Sequence, residues 1–158
     1  MITFSDPNNK YNIIFSIVND DDECQFIFTN NIVRKSITYN SFIPDYTAEF
    51  LKSFLSENFS NQVKFTWHYN GGGMHQINIT GTDNNITIKT MYEDDDRFGT
   101  NSDGSINYDS AYQEWNIVTI AITIQELNNI FKSILDYINN ICMERCNTSI
   151  ALHKITKI

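Results

Sequence analysis

The first third of the chain contains three short apolar runs separated by polar clusters. The runs are rich in β-branched and aromatic residues and predict β-strands at residues 11–18, 24–29 and 32–39. Polar residues at 20–23 and 30–31 separate the runs, and Asn and Asp tolerate the left-handed backbone of tight turns. We therefore expect three antiparallel strands joined by hairpins.

After Pro44 the pattern changes to a helical period. Apolar residues recur three and four positions apart, which predicts an amphipathic helix over about residues 46–58. Asp45 is the expected N-cap, because a carboxylate at that position accepts hydrogen bonds from free backbone N–H groups. The apolar face of this helix consists of Phe50, Leu51, Phe54, Leu55 and Phe59.

A second group of strands follows this helix. Residues 63–69 alternate strictly between apolar and polar side chains, and residues 74–80 return after a run of three glycines at 71–73. The glycine run joins two strands and lacks the spacing of a phosphate-binding loop, so it predicts a flexible hairpin turn. A third strand is expected at 85–92, which completes a second three-stranded meander.

The last part of the chain contains one strand and the longest predicted helix. Alternating apolar residues predict the strand at 115–124, and helical spacing continues to about residue 145. Thr123 and Glu126 have the spacing of a capping box at the start of this helix. Residues 147–158 are expected to form a last edge strand or a frayed end. The apolar stripe of the helix contains Leu127, Ile130, Phe131, Ile134, Ile138, Ile141 and Cys142.

Together these elements predict one α+β domain over residues 1–158. Hairpins interrupted by two amphipathic helices are typical of an antiparallel sheet with helices on one side. We expect about six to seven strands in that sheet, with both helices packed on one face. The chain has 158 residues, of which 41% are hydrophobic, so it is large enough to bury a core without metals or disulfides.

The net charge of -8 is concentrated in two segments. The polar segment at about 93–114 contains seven acidic side chains against Arg97 alone, and the turn at 20–23 contains four more. The first of these segments is also longer than ordinary connections in compact domains. The negative charge argues against a nucleic-acid or anionic-membrane binder, whose binding surface would be basic.

The compartment is expected to be the cytoplasm. The first residues lack the charged and apolar regions of a secretory signal, and no apolar stretch reaches the roughly 18 residues of a membrane span. Three cysteines, an odd number, favour reduced thiols over a disulfide framework. Cys142 and Cys146 share one face of the last helix, where core packing is favoured over nucleophilic chemistry.

The sequence predicts no catalytic residue, metal site or cofactor. His68 and His75 flank the glycine turn and are placed to approach each other across the hairpin, but a zinc site needs three or four ligands. We predict that the chain is not an enzyme. The competing class is an enzyme that acts on a small molecule with one of these two histidines as general base.

The acidic segment is interpreted as a protein-docking surface. Clustered carboxylates steer a basic partner toward the molecule, and nearby aromatic rings suit the centre of an interface. The residues around Asp103 match part of a calcium-binding loop, but Gly99 and Ser110 occupy positions that need acids. A solvated loop that aids solubility is the open alternative. The candidate partner-binding residues are Glu93, Asp94, Asp95, Asp96, Asp103, Asp109, Glu114, Tyr108 and Tyr112.

The order of elements between about residues 40 and 142 resembles that of small immunity proteins from bacterial toxin–immunity systems, including contact-dependent inhibition. The elements are the helix at 46–58, the hairpin VKFTWHYNGGGMHQINIT, the strand NITIKT, the acidic segment and the helix ITIQELNNIFKSILDYINNI. The resemblance implies a cytoplasmic antidote that binds a cognate toxin and blocks its active site, and it assigns no functional residue. A basic nuclease toxin would complement the net charge. The alternatives are a phage or viral inhibitor of a host defence protein, and a viral assembly protein that forms a symmetric oligomer.

Overall fold

The computed structural model describes residues 1–18, 23–70, 74–93, 99–107 and 115–156, which form two helices and two four-stranded antiparallel sheets. The predicted α+β class is therefore confirmed. The prediction of one sheet with six to seven strands is wrong, because the strands before and after the first helix do not pair with each other.

The first sheet has the strand order β1-β2-β3-β4, so each strand pairs with its neighbour in the chain. Its inner face carries alternate apolar residues from β2 onward, and this alternation is why the sequence predicted those three strands. The first strand was missed because its four residues contribute only Ile2 and Phe4 to the pattern. The strands are β1 (Ile2–Ser5), β2 (Tyr11–Val18), β3 (Glu23–Asn30) and β4 (Lys35–Phe42).

The first helix, α1 (Pro44–Ser56), begins before the expected N-cap. Ile43 occupies the N-cap position without a side-chain hydrogen bond, and Asp45 lies inside the first turn, so the prediction of an Asp45 cap is wrong. The physical reason is Pro44, whose fixed φ suits the first helical position and whose missing N–H needs no partner there.

The second sheet has the order β10-β7-β6-β5. A short hairpin lies within the polar segment, where no strand was predicted, between the third and fourth strands of this sheet in chain order. The elements in chain order are β5 (Gln62–Asn70), β6 (Met74–Thr82), β7 (Asn85–Glu93), the hairpin strands β8 (Gly99–Thr100) and β9 (Ile106–Asn107), and β10 (Asn116–Ile120).

The second helix, α2 (Ile124–Thr156), is longer than predicted. Its backbone remains helical through Thr156, so the prediction of a last edge strand after residue 147 is wrong. The Thr123 hydroxyl accepts a hydrogen bond from the Glu126 N–H at 3.0 Å, as a capping box requires. The Glu126 carboxylate, however, accepts a hydrogen bond from the Tyr11 hydroxyl at 2.8 Å.

Both helices pack into one hydrophobic core that contains residues of both sheets. The ring of Phe50 on α1 lies 5.8 Å from Phe26 in the first sheet and 6.0 Å from Phe65 in the second. Phe131 on α2 lies 6.1 Å from Phe26 and 4.9 Å from Phe54. The two helices therefore share their apolar faces with both sheets, and do not cover one face of a single sheet.

Two side chains also connect the sheets directly. The Asn30 amide donates to the Thr119 carbonyl oxygen at 2.6 Å, and the Thr90 hydroxyl donates to the Thr38 carbonyl oxygen at 3.2 Å. Both acceptors are backbone atoms of edge strands, β10 and β4, so these bonds occupy polar groups that no neighbouring strand of their own sheet uses. They hold β3 close to β10 and β4 close to β7.

Candidate functional site

Only part of the predicted docking surface falls within the described residues. Glu93 ends β7, where the acidic segment leaves the second sheet, and Asp103 lies in the turn between β8 and β9. The candidates outside the described residues are Asp94, Asp95, Asp96, Tyr108, Asp109, Tyr112 and Glu114.

Asp103 is a negative charge fixed in its own turn. The Ser105 hydroxyl and backbone N–H donate to its carboxylate at 2.6 and 3.0 Å, and Gly104 supplies the turn with a φ of 87°. These hydrogen bonds from Ser105 lower the pKa of the exposed Asp103 carboxyl, because they favour its charged form. Asp103 is therefore ionised at neutral pH.

The inner face of the second sheet is built from rows of residues that pair across β5, β6 and β7. Apolar rows lie beneath the helices, as in the row formed by Phe65, Ile79 and Ile88. The last row consists of Tyr69, His75 and Tyr92 and lies at the end of the sheet from which the acidic segment departs. Two further rings, Phe42 and Tyr46, pack on this last row. We call these five residues the aromatic cluster.

Ring contacts connect all members of the aromatic cluster. Phe42 has its ring centroid 4.3 Å from that of His75 and 4.7 Å from that of Tyr69. Tyr46 lies 4.6 Å from Tyr69, and His75 lies 4.3 Å from Tyr92. The hydrogen bond with Tyr46 is the main cause that raises the pKa of the Tyr69 hydroxyl. The cluster is therefore a set of mutually packed rings with hydroxyl groups among them.

Phe42 reaches the cluster through a strained backbone. Its φ is 64°, a left-handed value that is rare for a bulky residue and costs about 1–3 kcal/mol. The strand register shifts between Cys24 and Gln25, opposite Ser41, and the buried Ser41 hydroxyl lies 2.7 Å from the Thr47 hydroxyl of α1. This pair fixes the junction between β4 and α1, so the junction directs the Phe42 ring toward the cluster.

Burial within the cluster is graded. His75 is 9% exposed, whereas Tyr92 is 44% exposed and precedes Glu93, the first residue of the acidic segment. A protein interface needs rigid apolar area surrounded by polar groups, and an ordered, partly exposed aromatic side chain provides such area. The cluster thus extends from the buried His75 to the exposed Tyr92 ring beside the acidic segment.

His68 and His75 do not approach each other. In the hairpin, Tyr69 pairs with His75 and His68 pairs with Gln76, which places the two imidazoles on opposite faces of the sheet. The prediction that they meet across the hairpin is therefore wrong. The cavity that His75 borders has a volume of about 60 Å³, far below the roughly 300–1,000 Å³ of ordinary ligand pockets.

Metal ligands and cysteines add no site to the described part of the chain. Nowhere in that part do three or more His, Cys, Asp or Glu side chains come together as a metal site would require. Cys142 and Cys146 lie four positions apart in the helical backbone of α2, and the predicted core packing of Cys142 falls outside the described side chains. Cys24 is buried in the first sheet.

Sequence reasoning did not assemble the aromatic cluster. His75 was considered only as a possible metal ligand or general base, and neither Phe42 nor Tyr46 was connected with Tyr69 and Tyr92. The available signal was the register of the glycine hairpin, because a three-residue turn after Asn70 pairs Tyr69 with His75. Nothing local indicates that Phe42, in the other sheet, joins this row.

Searches for related proteins identify no family for this fold. No family model, no curated protein and no solved structure matches the chain. Among the helices that the structure describes, none is long and apolar enough to cross a lipid bilayer.

Proposed function

We propose that this chain is an immunity protein that binds and neutralises a cognate toxin, and that the toxin is a basic nuclease domain. One observation carries the proposal: the aromatic cluster presents an exposed Tyr92 ring beside the start of the acidic segment. The resemblance in element order to small immunity proteins supports the same reading. The cytoplasm is the compartment in which such an antidote acts.

In this proposal, the Tyr92 ring and the carboxylates of the acidic segment contribute to binding in different ways. Tyrosine is enriched among residues that dominate binding energy, because its ring buries a large area with little loss of side-chain entropy. The Tyr92 ring packs on His75, so it is already ordered before a partner arrives. Carboxylates around such a centre accelerate the encounter with a basic partner and select against acidic ones.

The charge of the acidic segment suits a partner whose active site binds phosphate. Seven acidic side chains lie between residues 93 and 114, with Arg97 as the one basic side chain. A carboxylate occupies a positively charged pocket in place of a phosphate group, and thereby excludes the nucleic acid substrate. Neutralisation then requires no chemistry on the immunity protein.

The test uses the toxin encoded next to this gene and measures the association and dissociation rates of the purified complex. Replacing Asp94, Asp95 and Asp96 with Lys is expected to lower the association rate by about tenfold or more and to flatten its salt dependence. The control carries the same charge change at exposed positions of α1, its C-cap and α2, as Glu49→Lys, Glu57→Lys and Asp136→Lys. This control should retain most of the association rate.

A second pair of variants tests the aromatic cluster in the same assay. Tyr92→Ala is expected to raise the dissociation rate by about thirtyfold, the effect of removing a central interface tyrosine. Ile117→Ala removes a similarly exposed apolar side chain from the outer face of the second sheet and should change the rate little. The proposal fails if the adjacent toxin does not bind, or if both variants bind like the unchanged protein.

A further inference from the structure

A second surface lies at β1, an edge strand of the first sheet. A cleft with a volume of about 520 Å³ separates β1 from the first turns of α2. The start of α2 is held by Asp83, whose carboxylate accepts from the Ile124 N–H at 2.9 Å in the turn that joins β6 to β7. His75 and Tyr92 lie at the opposite ends of those strands. The cleft is therefore independent of the proposed toxin surface.

Backbone groups of β1 are directed into this cleft. The Asp6 N–H donates to the Tyr11 carbonyl oxygen at 3.1 Å, and backbone polar groups point alternately to the two sides of a strand. Phe4 therefore bonds toward β2, while Thr3 and Ser5 direct their N–H and C=O groups to the other side. Both of these residues line the cleft. None of the described strands pairs with this edge of β1.

The side chains of the cleft provide an apolar wall and a fixed negative charge. Phe4 of β1 and Ile130 of α2 both line the cleft. The Glu126 carboxylate is exposed there and is positioned by the hydroxyl of the buried Tyr11, which donates to it at 2.8 Å. Burial, together with this carboxylate, raises the pKa of Tyr11, so the phenol remains a hydrogen-bond donor.

We propose that this cleft binds an extended peptide segment, which adds a strand to β1 and places a lysine or arginine side chain against Glu126. The outward N–H and C=O groups of Thr3 and Ser5 supply up to four backbone hydrogen bonds of the kind that strand addition uses. Alternate side chains of the added strand face Phe4 and Ile130. The carboxylate makes the site selective for a basic residue at one position.

The test selects peptides from a displayed library of short random sequences on the whole protein and measures the affinity of a selected peptide by fluorescence anisotropy. Ser5→Pro removes an outward N–H without removing a bond to β2, and is expected to weaken binding about tenfold or more. Ser5→Ala keeps the N–H and should bind like the unchanged protein. Glu126→Gln is expected to weaken binding about five- to tenfold and to reduce its dependence on salt.

Amide resonances provide a measurement that does not depend on the folding of any variant. Addition of the selected peptide to the unchanged protein should shift the N–H signals of Thr3 and Ser5 more than that of Phe4. The proposal is overturned if no peptide is enriched, if the enriched peptides lack basic residues, or if Glu126→Gln binds unchanged. A dimer in sedimentation experiments that Ser5→Pro dissociates would also overturn it, because the occupant would then be a second copy of β1.

Discussion

Glycine 81 has a backbone conformation that other residues rarely adopt. Its φ is 143°, and a Cβ atom built at this position would collide with the backbone oxygen of Asn85 across the hairpin. The colliding atom belongs to the backbone of a paired strand, so it has little room to move. Glycine is thus required here for both its torsion angle and its size.

Gly81→Ala is therefore expected to lower the free energy of unfolding by about 2–4 kcal/mol. Gly104→Ala is the matched control, because Gly104 also has a positive φ of 87° but no atom lies within 4 Å of its Cβ position. The control should lose only the torsional cost of about 1 kcal/mol. Urea unfolding of both variants measures the difference in their free energies of unfolding. Equal losses of stability would contradict the prediction, because they would show that the backbone moves to avoid the collision at position 81.

At the scale of elements, the start of α2 shows what local patterns predict and what they miss. The predicted stripe from Leu127 to Ile138 is buried, and Thr123 caps the helix as expected. The Glu126 carboxylate is engaged instead by Tyr11, 115 positions away in the chain. A capping rule considers only residues close in sequence, so it does not predict a hydrogen bond from the distant Tyr11 hydroxyl. The first turn of α2 is thus held by side chains of both sheets.

The Asp83 carboxylate provides an element-scale test because it bonds the N–H of the first residue of α2. Asp83→Ala leaves this helical N–H without its partner and is expected to cost about 1–2 kcal/mol of stability. Asp83→Asn keeps an oxygen acceptor in the same place and should lose less than half as much. Chemical denaturation of the two variants under identical conditions measures this difference in stability. Equal stability of Asp83→Ala and the unchanged protein would contradict the assigned role.

At the scale of the molecule, the sequence predicted most strands but not their division into two sheets. Hairpin partners are encoded locally by turn residues, which is why β2–β3–β4 and β5–β6–β7 were predicted correctly. Whether β4 also pairs with β5 depends on how α1 packs between them, and Phe50 contacts both sheets there. The aromatic cluster was not predicted for the same reason: it depends on a contact between the two sheets, because Phe42 belongs to the first sheet.

The shared core also predicts how the whole molecule responds to alkali. Burial raises the pKa of Tyr39 above its ordinary value of 10.0, so the folded state keeps this proton when the unfolded chain has lost it. The stability from Tyr39 is complete below pH 10 and declines above it. The free energy of unfolding should thus fall by about 1.4 kcal/mol per pH unit for this tyrosine. Tyr39→Phe should remove that part of the decline, and parallel curves for the two proteins in urea titrations would contradict the assignment.

The order of the elements has a consequence for synthesis on the ribosome. All four strands of the first sheet have been made by residue 42, yet Phe15 packs against Tyr137 and Phe26 against Phe131, in the last helix. At ordinary translation rates, α2 is synthesised on the order of ten seconds after the first sheet is complete. Throughout that interval an apolar sheet face is available to other nascent chains and to chaperones, so the yield of native protein depends on what meets that face before α2 emerges.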